Sequence, residues 1–284
     1  MRADYHMHFE KGSYNEEWVE GFFAAAVRRG LDEIGISEHS HTFPEFKPLY
    51  EKELILDDSP VGAYQKKWLA VNKFKYTLDE YFAFMRKLQK KHRVKIGIEV
   101  CNFRDQKAVA DILKNYEFDY VIGSVHYIDG WGYDFAEIKD EWTRHDLRDL
   151  YESYTAEIEN LASAGLYDIL GHPFNIRLFK ILPDFDVSAF LERAARALQK
   201  ADMTVDVNTG TMYRYPIAEI SPYADFMHYA AKYNLPIITT SDAHAPEDCG
   251  RYNDEAIKYA QKFGYSSIAV FDKRRRTLAP MTFN

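Results

Sequence analysis

The sequence predicts an α/β fold in which a parallel sheet closes into a barrel. Short apolar runs alternate with amphipathic helical runs along the 284 residues. Seven or eight such strand-helix units favour a closed barrel over an open sheet. Almost every inferred strand also ends in His, Asp or Glu. In a (β/α) barrel those ends meet on one face, where active sites are built, so the third observation joins fold to function.

The elements follow in order. Residues 2–9 read as a first strand. Residues 15–29 form an amphipathic helix with Trp18, Phe22, Phe23 and Ala26 at helical spacing, ended by Gly30. Residues 33–37 are a second strand. Residues 42–76 are a long irregular insertion punctuated by Pro44, Pro48 and Pro60, suited to a loop or lid. The alternation resumes with helix 78–91, strand 94–100, helix 106–116 and strand 120–125. A loop rich in Gly and Trp occupies about 127–143. Helix 145–164, strand 167–170, helix 187–201, strand 204–207, helix 223–233, strand 236–240, helix 255–263 and strand 267–271 complete the chain. No internal repeat or linker interrupts it, so one domain over 1–284 with two insertions is expected.

Composition narrows the function. The net charge of −8 argues against polymeric nucleic acid, which calls for a basic surface. It leaves room for a small anionic substrate, because bound cations invert the local field. The two cysteines, Cys101 and Cys249, are too few for a disulfide framework. No apolar leader follows Met1 and no run is long enough to cross a bilayer, so a cytoplasmic location without a membrane partner is expected. Oligomeric state is open.

His6 and His8 close the first strand, two residues apart, and so share a side of it. His39 follows the second strand, Glu99 closes the third, His126 the fourth and His172 the fifth. Asp242 and His244 follow the strand at 236–240. Each residue alone has an ordinary reading: a capped loop histidine, a surface carboxylate, or a helix N-cap for Asp242. Together they make a donor set for divalent zinc, manganese or iron, too large for one ion. Closely spaced ions suit phosphoryl chemistry. His92, His145 and His228 fall inside or beside helices and read as structural. His41 lies off the strand-end pattern, where a supporting role behind the ligands is open.

In their order, His6-Met7-His8, Glu38-His39, Gly97-Ile98-Glu99, Gly123-Ser124-Val125-His126, Gly171-His172-Pro173 and Ser241-Asp242-Ala243-His244 resemble the PHP (polymerase and histidinol phosphatase) superfamily over nearly the whole chain. Residues 123–134, 207–214 and 241–251 are similar to its histidinol-phosphatase branch. The resemblance implies a distorted (β/α)7 barrel and a trinuclear metal site. By motif, His6, His8, Glu99 and Asp242 would hold one ion. Glu99 would bridge to a second, held with His126 and His172, and His39 and His244 would hold a third. Many relatives carry a further His shortly after the first strand, but residues 9–14 contain none. Glu10 is the expected substitute, with Tyr14, Glu16 and Glu17 as fallbacks. An exposed loop carboxylate is the alternative for Glu10, so two or three ions are expected.

The implied activity is phosphomonoester hydrolysis, with L-histidinol phosphate as substrate and metal-activated hydroxide as nucleophile. Arg177, five residues after His172, matches the branch's phosphate-binding arginine, and guanidinium can grip phosphate in a bidentate way. Arg214 and Arg251 are further candidates on the same rim. His244 is a candidate proton donor to the leaving oxygen. Asp129 and Asp134 could receive the substrate amine, and Tyr127, Trp131 and Tyr213 could pack on its imidazole. Alternatives are another phosphoesterase of the superfamily acting on a nucleotide, a metal-dependent amidohydrolase, or a non-catalytic metal-binding regulatory domain.

Overall fold

The computed structural model describes residues 1–12, 14–71 and 73–282. Seven strands form one sheet: Ala3–Asp4 (β1), Glu33–His39 (β2), Val94–Cys101 (β3), Tyr120–Ser124 (β4), Ile169–Leu170 (β5), Thr204–Asn208 (β6) and Ile237–Thr240 (β7). They neighbour one another in chain order and are all parallel. The two edges meet where Met7 bridges Ala243, and the His8 amide donates to the Ala243 carbonyl at 2.8 Å. The result is a nearly closed (β/α)7 barrel. Its outer helices are amphipathic, and several begin at a side-chain cap. Asn15 accepts from the Trp18 amide at the start of helix Glu16–Arg28, and Asp146 caps helix Leu147–Ala164, which ends at left-handed Gly165.

The ladder register fixes which side chains face inward. Ser37 pairs with Gly97, His39 with Glu99, Gly97 with Tyr120 and Glu99 with Ile122. Side chains two apart on a strand share a face, so Gly97 and Tyr120 lie one layer below Glu99. Tyr120 fills that floor. Its ring stacks on Tyr5 at 5.2 Å between centroids and its hydroxyl donates to the Tyr5 carbonyl at 2.6 Å. The ring fits because residues 35 and 97 are glycines: a Cβ at Gly97 would stand 2.3 Å from the Tyr120 ring, and one at Gly35 would meet its hydroxyl.

Four features differ from the sequence reading. The apolar run expected as an eighth strand, Ser267–Asp272 (β8), does not join the barrel. It pairs antiparallel with Arg275–Pro280 (β9), because the chain reverses through Lys273 and Arg274, both in left-handed conformations. This hairpin closes the barrel floor: Phe271 meets Tyr5 edge-on at 6.3 Å, and Asp272 pairs with Lys95 at 2.9 Å. The insertion at 42–76 contains two helices, Lys47–Glu53 and Pro60–Ala70, the second capped by Ser59 with Pro at its first position. A short helix, Gly210–Arg214, follows β6. The second insertion carries the hairpin Tyr127–Ile128/Trp131–Gly132.

Gly97→Ala should destabilise the protein by roughly 1–3 kcal/mol, the usual cost of overpacking a filled core. Denaturant unfolding measures it, and a change below about 0.5 kcal/mol would refute the floor-packing argument.

Candidate metal centre

The barrel mouth gathers what the strand ends promised. Glu99 is buried in β3, with ring nitrogens of five histidines around its carboxylate: His39 at 2.6 Å, His172 at 3.1 Å, His6 at 3.2 Å, His126 at 3.5 Å and His8 at 3.7 Å. His8 Nε2 also lies 3.3 Å from Asp242 Oδ1, His39 Nε2 lies 3.3 Å from His244 Nε2, and His126 Nε2 lies 3.4 Å from His172 Nε2. Two donors on one tetrahedral zinc, each about 2.1 Å from it, are separated by roughly 3.4 Å. The observed spacings are those of atoms that share cations.

Two further features fit metal. The Nε2 atoms of His6 and His8 are buried without a hydrogen-bond partner, a costly state unless a cation takes the lone pair. Among the described residues the donor atoms also fall into compact groups: His6, His8 and Glu99; Glu99, His126 and His172; His8, His39 and His244; Glu10, His39 and His41; and His6, His172 and Asp242. The two groups that contain Glu99 share residues with the first two expected ion sites. The third and fourth groups bear on the third site, and the fifth draws Asp242 together with His6 and His172. Glu10 Oε1 is 3.8 Å from His244 Nε2, and Glu10 Oε2 is 3.9 Å from His41 Nδ1. Glu10 thus reaches the cluster, and buried His41 stands beside it. The fallback residues do not: Tyr14 stacks between Tyr76 and Phe84, Glu16 pairs with Lys87, and Glu17 is exposed.

The electrostatics hold the acids ionised and leave the imidazoles mixed: burial opposes charge on His6 and His39, but Glu99 overcomes it and raises both. Burial favours neutral Glu99, but His6, His39 and His126 outweigh it and hold the carboxyl well below its usual range. Burial likewise opposes ionisation of Asp242, and Arg214 and His6 overcome it. Burial pushes His8 down to about 4 and His126 to about 3, leaving neutral imidazoles. Two of the expected ligands sit at left-handed backbone angles, His172 (φ 27°) and Asp242 (φ 54°). Non-glycine residues seldom adopt these angles, and here they turn the ends of β5 and β7 into the mouth.

Supporting groups fix the rings. Asp206 on β6 takes His6 Nδ1 at 2.9 Å and accepts from the His172 amide at 3.1 Å and Asn208 at 3.1 Å. His6 Nε2 is thereby aimed at the cluster. Asp4 accepts from the amides of Ser241 at 3.1 Å and Gly250 at 3.0 Å, tying β1 to the turn that carries Asp242. Cys101 Sγ lies 3.2 Å from His126 Nδ1 and 3.1 Å from the Tyr50 hydroxyl. Sequence reasoning missed these partners, because a carboxylate or thiol inside a strand carries no local mark.

A cavity of about 200 Å³ opens above the cluster. Arg214 lines it, paired with Asp242 and 2.8 Å from His244 Nδ1. Lys73, from the first insertion, lines it too, 3.4 Å from His41 Nε2. Nothing in the sequence pointed to Lys73. Arg177 is not in this cavity. Its guanidinium stacks on Tyr223 at 3.8 Å and lines a neighbouring small cavity with Tyr151 and Asp225. Arg251 pairs with Asp248 at 2.8 Å and lies over Tyr213 at 4.4 Å, also outside the cavity lining. Asp134 and Tyr127 line the cavity. Asp129 pairs with Arg104 at 2.6 Å, Trp131 stacks on His145, and the Tyr213 hydroxyl donates to the Ser241 carbonyl. His92 stacks on Phe23 and His228 meets Phe263 edge-on, both structural as expected.

The sequence matches the PHP domain family over residues 4–210. The chain belongs to the PHP domain family. Among curated PHP relatives it is 32% identical over 209 residues to a probable histidinol-phosphatase of Deinococcus radiodurans, covering 72% of this chain and 78% of the relative. It is 24% identical over 297 residues to a histidinol-phosphatase of Lactococcus lactis, covering 98% of each. The fold superposes on the crystal structure of a histidinol phosphate phosphatase from Lactococcus lactis complexed with zinc, L-histidinol and phosphate. That match has a TM-score of 0.73, 21% identity, and 97% and 98% of the two chains covered. The PHP barrel expected from the motifs is therefore the fold observed.

Asp206→Asn should weaken metal affinity about 10–100-fold, since it removes the carboxylate that orients His6. Competition against a chromophoric chelator measures this, and unchanged affinity would show that Asp206 does not hold the ring.

Proposed function

We propose that this chain hydrolyses L-histidinol phosphate to L-histidinol and phosphate, using two or three divalent zinc, manganese or iron ions. The observation that carries the reading is Glu99, an ionised, buried carboxylate shared by two groups of histidine donors beneath a cavity that also presents guanidinium and ammonium groups. Relatives named as histidinol-phosphatases, matched in sequence and in fold, support the substrate.

His6, His8, Glu99 and Asp242 would hold one ion, Glu99, His126 and His172 a second, and His39 and His244 with Glu10 a third. Ions so placed supply Lewis acidity and lower the pKa of water for attack on phosphorus. The chain's own residues do the rest. Asp206 holds His6 in orientation, and Arg214 helps keep Asp242 ionised. Arg214 and Lys73 present positive charge where the phosphoryl oxygens would lie, and preorganised charge of this kind stabilises the spread negative charge of phosphoryl transfer. The place of Arg214 on the cavity wall supports reading it as the phosphate grip, the role the motif resemblance gives to Arg177. His244, half-buried at the mouth, fits the ligand role better than that of proton donor to the leaving oxygen, because burial and the neighbouring Arg214 hold its imidazole well below its usual range and neutral.

Purified protein should release phosphate from L-histidinol phosphate, lose that activity on chelation, and regain it with zinc or manganese. Glu99→Ala should lower kcat by at least about 10³-fold, several kcal/mol of transition-state stabilisation. Full turnover after metal removal would end the proposal.

Arg214→Gln should lower kcat/KM by about 10²-fold, more than Arg177→Gln does. Steady-state kinetics of the two variants decide the point, and the reverse order would return the phosphate grip to Arg177.

A further inference from the structure

The cavity holds one acidic group that the metal chemistry does not use. Asp134 lies on its wall, just after the hairpin Tyr127–Ile128/Trp131–Gly132 of the second insertion. It belongs to none of the donor groups that could hold a metal. Among the described residues no side chain makes an ion pair or hydrogen bond with it. The neighbouring acid Asp129 is matched by Arg104, and Glu157 has the same arginine near it at 3.9 Å. Burial pushes the Asp134 carboxyl up to about 6, against the weaker pull of His172. A carboxylate without a countercharge in a secluded cleft is unfavourable, and such perturbed groups concentrate at functional sites.

Asp134 is also held firmly. The Tyr133 hydroxyl donates to the Val125 carbonyl at 2.7 Å, and Trp142 Nε1 donates to the Tyr133 carbonyl at 2.9 Å. The Gly132 amide donates to Gln65 Oε1 at 2.7 Å, and Gln65 Nε2 in turn donates to the carbonyls of Ile55 and Gly130. The two insertions thus lock together around this position. Beside Asp134 the cavity is walled by Trp68, Phe135, Tyr127 and Tyr215. A fixed carboxylate among aromatic faces suits a primary ammonium carried next to a flat ring.

We propose that Asp134 receives the ammonium group of the substrate and so selects amine-bearing phosphate monoesters over others. This rests on the reading of the site as a histidinol-phosphate hydrolase. Asp134 takes no part in bond breaking; it sets the pose of the organic end while the phosphate lies on the metals.

The test compares wild type with Asp134→Asn at pH 8 on three substrates: L-histidinol phosphate, its analogue lacking the amine, and p-nitrophenyl phosphate. The variant should raise KM for L-histidinol phosphate roughly 10- to 100-fold, with kcat within about 3-fold. Its kinetics on the other two should match wild type, with equal metal content. Those two substrates and the metal content verify that the variant folds, and Asp134→Glu should restore part of the lost affinity. Wild-type turnover of L-histidinol phosphate with no KM change in Asp134→Asn would overturn the Asp134 assignment alone. Equal losses on all three substrates would do the same. Failure of wild type to hydrolyse L-histidinol phosphate while it hydrolyses p-nitrophenyl phosphate would overturn both the assignment and the reading beneath it.

Discussion

The whole barrel mouth turns on the Glu99 carboxylate. It is fully buried, and five imidazoles converge on it. Left to themselves these groups are poorly satisfied. Rings lie close to rings, nitrogens lack hydrogen-bond partners, and an anion is far from water. Divalent ions would resolve all three conflicts at once, and their binding energy would become part of the folding energy. The rest of the structure serves this arrangement. Tyr120 fills the floor under Glu99, β8 and β9 seal that floor from below, and Asp206 and Asp4 hold the first strand in line.

Much of this was legible because barrel topology converts sequence position into spatial position. A residue that closes a parallel strand is carried to the common face, so His39, Glu99, His126, His172 and Asp242 could be grouped before any coordinates. Period two placed His6 and His8 together. The groups that were not legible act across strands. Asp206 lies inside β6, far in sequence from the His6 ring it orients, and reads locally as one more strand residue. Lys73 comes from an insertion whose path no periodicity describes. Arg177 shows the converse limit. Its spacing from His172 matched a motif, but spacing along a loop does not fix direction, and the Tyr223 ring holds its guanidinium in the next cavity. The last strand misled for a related reason: an apolar run signals a strand without naming its partner, and the turn at Lys273–Arg274 sent it into a hairpin.

On the proposed assignment, Glu10 would keep the third site while changing a ligand. A carboxylate reaches the third donor group from the 3-10 turn Glu10–Gly12. Replacing an imidazole with a carboxylate adds negative charge and an oxygen donor, which shifts preference toward harder ions. His41 stands on the far side of the same group and restores a nitrogen donor at short range. On the proposed assignment the third site would combine Glu10 with His39 and His244, as the first combines His6 and His8 with Glu99 and Asp242.

The charge balance of the cavity also explains its division of labour. Glu10, Glu99 and Asp242 are the carboxylates among the donors, and two divalent ions already exceed their negative charge. Arg214 and Lys73 add to that surplus on the cavity wall, so the metal end of the cleft attracts a phosphate dianion although the protein as a whole is acidic. The insertion end reverses the sign: Asp134 stands there without a cation, among aromatic rings. A cleft positive at its base and negative at its aromatic wall is polarised for a molecule with phosphate at one end and an amine beside a ring at the other. The strand ends, with Arg214 and Lys73, supply the first pole, and Asp134 with the aromatic rings around it the second. Substrate choice can then vary through the loops while the metal chemistry stays fixed in the barrel.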